Sequence, residues 1–231
     1  MENLVKTITI DWKWVEAHLS AREKIDNIGD VRTKESILRH LKESLEAAIS
    51  KAAPQVSIIK KDILKCAPGS LELDGGIAFS AKELSSHMMG AVNIYAFLVT
   101  IGSGIEEEAS SCMKSGDHIG GYLLDRIGSF AVESLAKNVE ELLRRSLGLK
   151  DLSVSMRFSP GYCDWPIEDQ FKLAEIIDFA GIGVTLTKNC MMIPKKSITA
   201  IVGVGPKKLF SKITSPCAVC NMKICGYRRI D

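Results

Sequence analysis

The sequence lacks an excess of charge of one sign: thirty Lys and Arg stand against twenty-eight Asp and Glu, a formal net charge of +2. That balance supplies no field for a nucleic acid or an anionic membrane, and neither partner is expected. A long apolar run is also missing. The longest, Ala91 to Ile101, is interrupted by Asn93 and Thr100 and reaches about half of the ~20 residues a spanning helix needs. The start, Met1-Glu2-Asn3-Leu4-Val5-Lys6, has no basic stretch leading into an apolar block, so no secretory signal is read and a cytoplasmic protein is expected. Internal repeats and linkers rich in Gly, Ser or Pro are absent. With 46% hydrophobic and 25% charged residues over 231 positions, a disordered or collagen-like chain is excluded and a sizeable core is affordable.

Several catalytic signatures are missing too. His18, His40, His87 and His118 are scattered, with no His-Glu-x-x-His, which argues against zinc-hydrolase chemistry. No Gly-x-Ser-x-Gly elbow offers a serine nucleophile. Gly102-Ser103-Gly104 follows a strand signal, but Glu107 stands where a dinucleotide fingerprint needs its third glycine. The acidic helix start Glu106-Glu107-Glu108 would repel a pyrophosphate, so the segment reads as a strand-to-helix turn and an ordinary Rossmann methyltransferase is disfavoured. Gly203-Val204-Gly205-Pro206-Lys207-Lys208 lacks the spacing of a phosphate loop and reads as a turn after a strand. Asp117-His118-Ile119-Gly120-Gly121 has the letters of a corrinoid loop in the wrong order.

What is present is a mixture of helical and strand patterns. Trp12, Val15, Leu19 and then Ile37, Leu38, Leu41, Leu45, Ala48, Ile49 recur at helical spacing, with Asp30 or Thr33 as N-cap of the second helix and Pro54 beyond its end. Segments 56–64, 71–79 and 92–101 read as strands, and Asp74-Gly75-Gly76 is either part of the second or a turn that splits it. A short helix spans Glu106 to Lys114. A long one follows from Ile119, with Leu123, Ile127, Phe130, Ala131, Ser134, Leu135, Val139 and Leu142 on one face and Gly148 as its C′ residue. A strand over Val154–Phe158, a helix opened by Pro166, and strands at Val184–Leu186 and Ile198–Val204 complete the chain. Strands and helices alternate irregularly, which favours an α+β fold with a twisted, mostly antiparallel sheet and flanking helices.

Seven cysteines, an odd number, argue for reduced thiols over a disulfide framework. Three cluster as Cys217-x2-Cys220-x4-Cys225, a spacing at which thiolates converge on one metal such as zinc or on an iron-sulfur cluster. A closed site needs a fourth ligand, for which Cys163, Cys190 or a non-protein group are candidates. Free, redox-active or merely solvent-facing thiols are the alternative.

Arg157-Phe158-Ser159-Pro160-Gly161-Tyr162 is the other informative string. A strand end followed by a Pro-Gly turn lets backbone groups approach a ligand, while Arg157 offers a fork of donors for a carboxylate and Tyr162 a ring and a hydroxyl. That set suits a zwitterion carrying an aromatic base. A surface type II turn with a solvated arginine accounts for the same letters.

Residues 157–166, together with Gly183-Val184-Thr185-Leu186-Thr187, Met191-Met192-Ile193-Pro194-Lys195-Lys196-Ser197 and the helical segment 116–133, resemble the activation domain of cobalamin-dependent methionine synthase, most closely its stand-alone short members. The resemblance covers roughly residues 92–204. It implies a C-shaped α+β domain that binds S-adenosylmethionine in a shallow groove, with Arg157 on the methionine carboxylate, Ser159 and Gly161 giving backbone contacts and Tyr162 lining the site. Glu133 falls where the family has a ligand-binding carboxylate, although periodicity places it on the helix flank, where a solvated glutamate is equally consistent. Asp11 is the candidate for the family's N-terminal aspartate.

By the same resemblance, cob(II)alamin is reduced by one electron and trapped by the methyl group of S-adenosylmethionine, and the domain's contribution is positional. The cobalamin then belongs to a partner, either a corrinoid-binding protein or methionine synthase subunits, with flavodoxin or ferredoxin as possible electron donor. The expected layout is one S-adenosylmethionine-binding domain over 1–205, including a helical part at 12–52, and a Cys-rich appendage over 206–231. The competing reading is a non-catalytic metal-binding interaction or sensor module with a vestigial groove.

Overall fold

The computed structural model describes residues 8–148 and 151–210. Its elements are α1 (Trp12–Arg22), α2 (Val31–Lys51), β1 (Gln55–Ala67), β2 (Ser70–Leu73), β3 (Ala78–Phe79), α3 (Lys82–Met88), β4 (Asn93–Thr100), α4 (Gly104–Ser115), α5 (His118–Gly148), β5 (Leu152–Val154), α6 (Gln170–Ile176), β6 (Thr185–Leu186), β7 (Met192–Ile193) and β8 (Ser197–Pro206). Six strands form one sheet in the order β3-β2-β1-β4-β8-β5, and β6-β7 form a separate ribbon. Every pairing is antiparallel, as the irregular alternation of elements implies.

β4 explains the layering. Its side chains alternate between two apolar clusters, so both faces of the sheet are covered and the strand reads as an unbroken hydrophobic run. Tyr95, Phe97 and Val99, with Ala200 and Val202 of β8, face Val15, Leu19, Leu41, Leu45, Ile105, Ile127 and Leu135 from α1, α2, α4 and α5. Ile94, Ala96 and Leu98 face Leu84, Met156, Phe158, Trp165, Leu173 and Phe179. The second face is thus covered by short helices and loops.

Local chemistry sets the boundaries. Asp30, not Thr33, caps α2: its carboxylate accepts from the Thr33 N–H at 2.8 Å. α2 buries only Leu41, Ser44, Leu45 and Ala48, leaving Leu38 and Ile49 exposed against the expected stripe, because a single narrow face of the helix meets the core. Asp74-Gly75-Gly76 does split a strand, with left-handed φ of 85° and 80° at the two glycines. Gly148 is the last residue of α5 and not a left-handed C′ residue, and near that end Leu143 rather than Leu142 is buried. Gly203 and Gly205 lie inside β8, and the turn comes later, at 207–209. α3 carries no sequence signal of its own. It is capped from far away: Asp164 accepts the Lys82 N–H at 2.6 Å and the Glu83 N–H at 3.1 Å.

The turn Gly102-Ser103-Gly104 connects β4 to α4 as expected. A Cβ at Gly104 would lie 2.5 Å from the Lys51 carbonyl, so glycine there serves close packing of α2 on α4. Glu106, in the acidic first turn, accepts the Lys196 N–H at 2.8 Å and ties the start of β8 to the helix. No described helix is long and apolar enough to cross a membrane.

Candidate functional site

An extra residue between β5 and the next paired position builds the site. Val154 pairs with Val204 and Phe158 with Ile201, so four steps on one strand oppose three on the other. Ser155 absorbs the difference: its backbone N–H donates to the Gly203 carbonyl at 2.8 Å, while its Oγ takes the Gly203 N–H at 2.9 Å in place of a ladder carbonyl. The bulge inverts the side-chain alternation. Val154 packs on the helix-covered face, but Met156 and Phe158 belong to the opposite cluster, which sends Arg157 towards α5. The strand expected over Val154–Phe158 is therefore regular only as far as Val154.

Arg157 is 1% exposed, which overturns its reading as a solvated surface residue. Its Nη2 donates to Glu133 Oε2, and its Nε stands 3.3 Å from Glu140 Oε1. Both glutamates come from α5, seven positions apart and hence two turns along one face. Burial alone would lower the Arg157 pKa, but Glu133 and then Glu140 outweigh it and hold the guanidinium charged. Burial pushes the Glu140 carboxyl up, an effect that Arg157 opposes. Glu133, half-buried, is thus an ion-pair partner and not a freely solvated residue. Arg157 Nη1 is buried with no hydrogen-bond partner, and so is Ser159 Oγ; Nε, too, lacks a hydrogen bond and meets Glu140 by charge alone. Orphaned buried polar atoms are few in native proteins, and an absent ligand is one of their ordinary causes.

Gly161 adopts φ of +90° in the Pro-Gly turn, a value that favours glycine, and its N–H donates to the Trp165 carbonyl at 2.8 Å. The turn's far side is anchored by Trp165, 1% exposed, whose indole donates to Asp169 at 2.8 Å. Ser159, Pro160 and Tyr162 then form one wall of a cavity of about 410 Å³ whose other wall includes Cys190, Met191, Met192 and Lys195. A volume of this order fits a small organic ligand. Across its floor, Thr199 donates to Gln170 at 2.5 Å.

Of the sequence-derived candidates, Glu133 and Arg157 are in contact, Ser159 and Tyr162 line the cavity, and Gly161 shapes the turn between them. Asp11 caps α1 through the Trp14 N–H at 3.0 Å, and its own N–H donates to Ser134 Oγ at 2.9 Å, which sets the N-terminal segment beside the neighbour of Glu133. Glu140 was missed, although its spacing from Glu133 on one helix face carries the signal. Cys217, Cys220 and Cys225 lie outside the described residues. Among the described residues no group of three His, Cys, Asp or Glu is arranged for a metal; Cys163 is exposed and Cys190 buried.

A curled antiparallel sheet with flanking helices makes this an α+β domain. The chain is similar to the MetH reactivation domain in its crystal structure bound to AdoHcy, with a TM-score of 0.64 over 90% of this chain and 76% of that one at 16% identity. The likeness is one of fold. Sequence supplies the second step: the chain belongs to the family of the vitamin B12 dependent methionine synthase activation domain, whose model matches residues 84–215. No curated protein matches the sequence.

Proposed function

We propose that the chain binds S-adenosylmethionine along the Arg157–Tyr162 segment and presents its methyl group to cobalamin carried by a partner, as a stand-alone reactivation component of a cobalamin-dependent methionine synthase or related corrinoid methyltransferase. The observation that carries this reading is the orphaned buried polar atoms Arg157 Nη1 and Ser159 Oγ, two positions apart, with Ser159 in the wall of a cavity of ligand size. The similar reactivation domain bound to AdoHcy, the demethylated counterpart of that ligand, supports it.

In this reading each residue has a positional task. Arg157 takes the ligand carboxylate, Glu133 the ammonium group, Ser159 and Gly161 contribute contacts from the turn, and Tyr162 flanks the base or sugar. The bound sulfonium supplies the methyl group, and the cobalt that accepts it is the partner's. No acid or base on this chain is needed, because the work is orientation. A flavodoxin or ferredoxin would supply the electron. Cys217, Cys220 and Cys225 are proposed metal or cluster ligands, tested by metal analysis and absorption of anaerobically purified protein.

Isothermal titration with S-adenosylmethionine tests the binding claim. Heat with wild type and its loss in Arg157→Lys, which keeps the charge but not the planar fork, is the expected outcome. No heat for wild type at millimolar ligand would sink it.

A further inference from the structure

Arg157 meets two carboxylates that differ in accessibility. The Glu133 side chain, on Nη2, is 36% exposed, whereas that of Glu140, on Nε, is 14% exposed. Glu133 is thus the more accessible of the two carboxylates and Glu140 the more enclosed. The unpartnered Nη1 lies on the same guanidinium as the Glu133-bound Nη2, so replacing Glu133 on Nη2 frees a two-nitrogen edge. That edge matches a carboxylate in bidentate geometry.

We infer that Glu140 is a positioning residue whose charge, 3.3 Å from Nε, keeps Arg157 oriented while a ligand carboxylate exchanges with Glu133 on the Nη edge. The inference rests on the reading that S-adenosylmethionine binds here. It adds a division of labour between two glutamates: Glu133 is the displaceable lid of the arginine, released for the ligand ammonium, and Glu140 is the fixed anchor that keeps the fork aimed. Without the anchor the guanidinium is free to swing towards Glu133, and the carboxylate loses its preorganised receptor.

The discriminating probe is decarboxylated S-adenosylmethionine, which retains the sulfonium, the nucleoside and the amine but lacks the carboxylate. Wild type should prefer S-adenosylmethionine over the decarboxylated form by at least about tenfold, the scale of a charge-assisted hydrogen bond. In Glu140→Gln that preference should shrink to near unity, with affinity for the decarboxylated form kept; Glu140→Asp should restore part of it. An unchanged preference in Glu140→Gln, or equal weakening of both ligands, overturns the inference. If wild type binds neither compound, the binding reading itself fails; if wild type binds and discriminates but Glu140→Gln does too, only the anchor role fails. Should Glu140→Gln not fold, wild-type protein with nitrogen-labelled arginine decides. The Arg157 Nε–H resonance, assigned by its loss in Arg157→Lys, should stay put as ligand saturates, and a large shift or loss of that signal would show that the anchor lets go.

Discussion

On one face of the sheet, α1, α2, α4 and α5 cover β4 and β8 with aliphatic side chains at helical spacing, and the sole charged insert described above is Arg157 with its two glutamates. On the other, α3, α6 and the chain between Phe158 and Leu186 are held by aromatic contacts and by side chains that satisfy distant backbone: Phe79 and Trp165 at 5.2 Å, Phe158 and Trp165 at 6.5 Å, and Asp164 on the start of α3. The first face is periodic and local, the second irregular and long-range. The comparison teaches why the proposed site lies where the two meet. Rigid helical geometry supplies fixed carboxylates, and the irregular face supplies a turn whose backbone is free to follow a ligand.

Four substitutions press on that contrast, starting with the largest effect. Arg157→Ala leaves two partly buried carboxylates facing each other and should cost about 3–5 kcal/mol of stability in urea denaturation. If the loss were only that of an exposed pair, near 0–1 kcal/mol, the helix face would not depend on its charged insert. Trp165→Ala removes the largest fully buried side chain of the loop face and should cost about 3–5 kcal/mol at most, with the lower end expected because irregular segments relax into a cavity more readily than helices do. A value above that of Arg157→Ala would reverse the ranking of the two faces. Asp164→Ala uncaps α3 from a distance and should cost about 1 kcal/mol, with hydrogen exchange rising at Lys82 and Glu83 first.

The smallest effect concerns pH. His87, tilted against Phe158 at 5.0 Å, has its pKa pushed below the ordinary 6.5 by burial, with Glu83 opposing the shift. The unfolded chain therefore takes up a proton that the folded one resists. Stability from this group is complete above pH 6.5 and is lost as pH falls through that value towards the depressed one. Melting temperatures measured from pH 7.5 downwards, over about two units, should fall less steeply in His87→Asn than in wild type; an equal slope would remove His87 from the account.

The helix face was legible almost throughout, since Leu123, Ile127, Ala131, Leu135 and Val139 repeat at the period of the structure that buries them. The loop face was legible only in its chemistry. Arg157 and the Pro-Gly-Tyr turn announced a ligand site by residue type, but the partners did not: α3 has Ala81 at its N-cap position and borrows Asp164 from 82 positions away. Glu140 sat in view on the same helix flank as Glu133, yet nothing local says that an arginine from another element reaches it. The alternating Val-Ser-Met-Arg-Phe reads as a regular strand, and only the ladder with β8 shows that Ser155 is one residue too many.

That surplus residue makes the site a matter of counting as well as of chemistry. The same letters laid against β8 without the bulge would bring Arg157 opposite Ile201, on the face of Trp165, instead of towards Glu140. Relatives of this domain are thus better compared by how the segment between β5 and the turn pairs with β8 than by the identity of the letters within it.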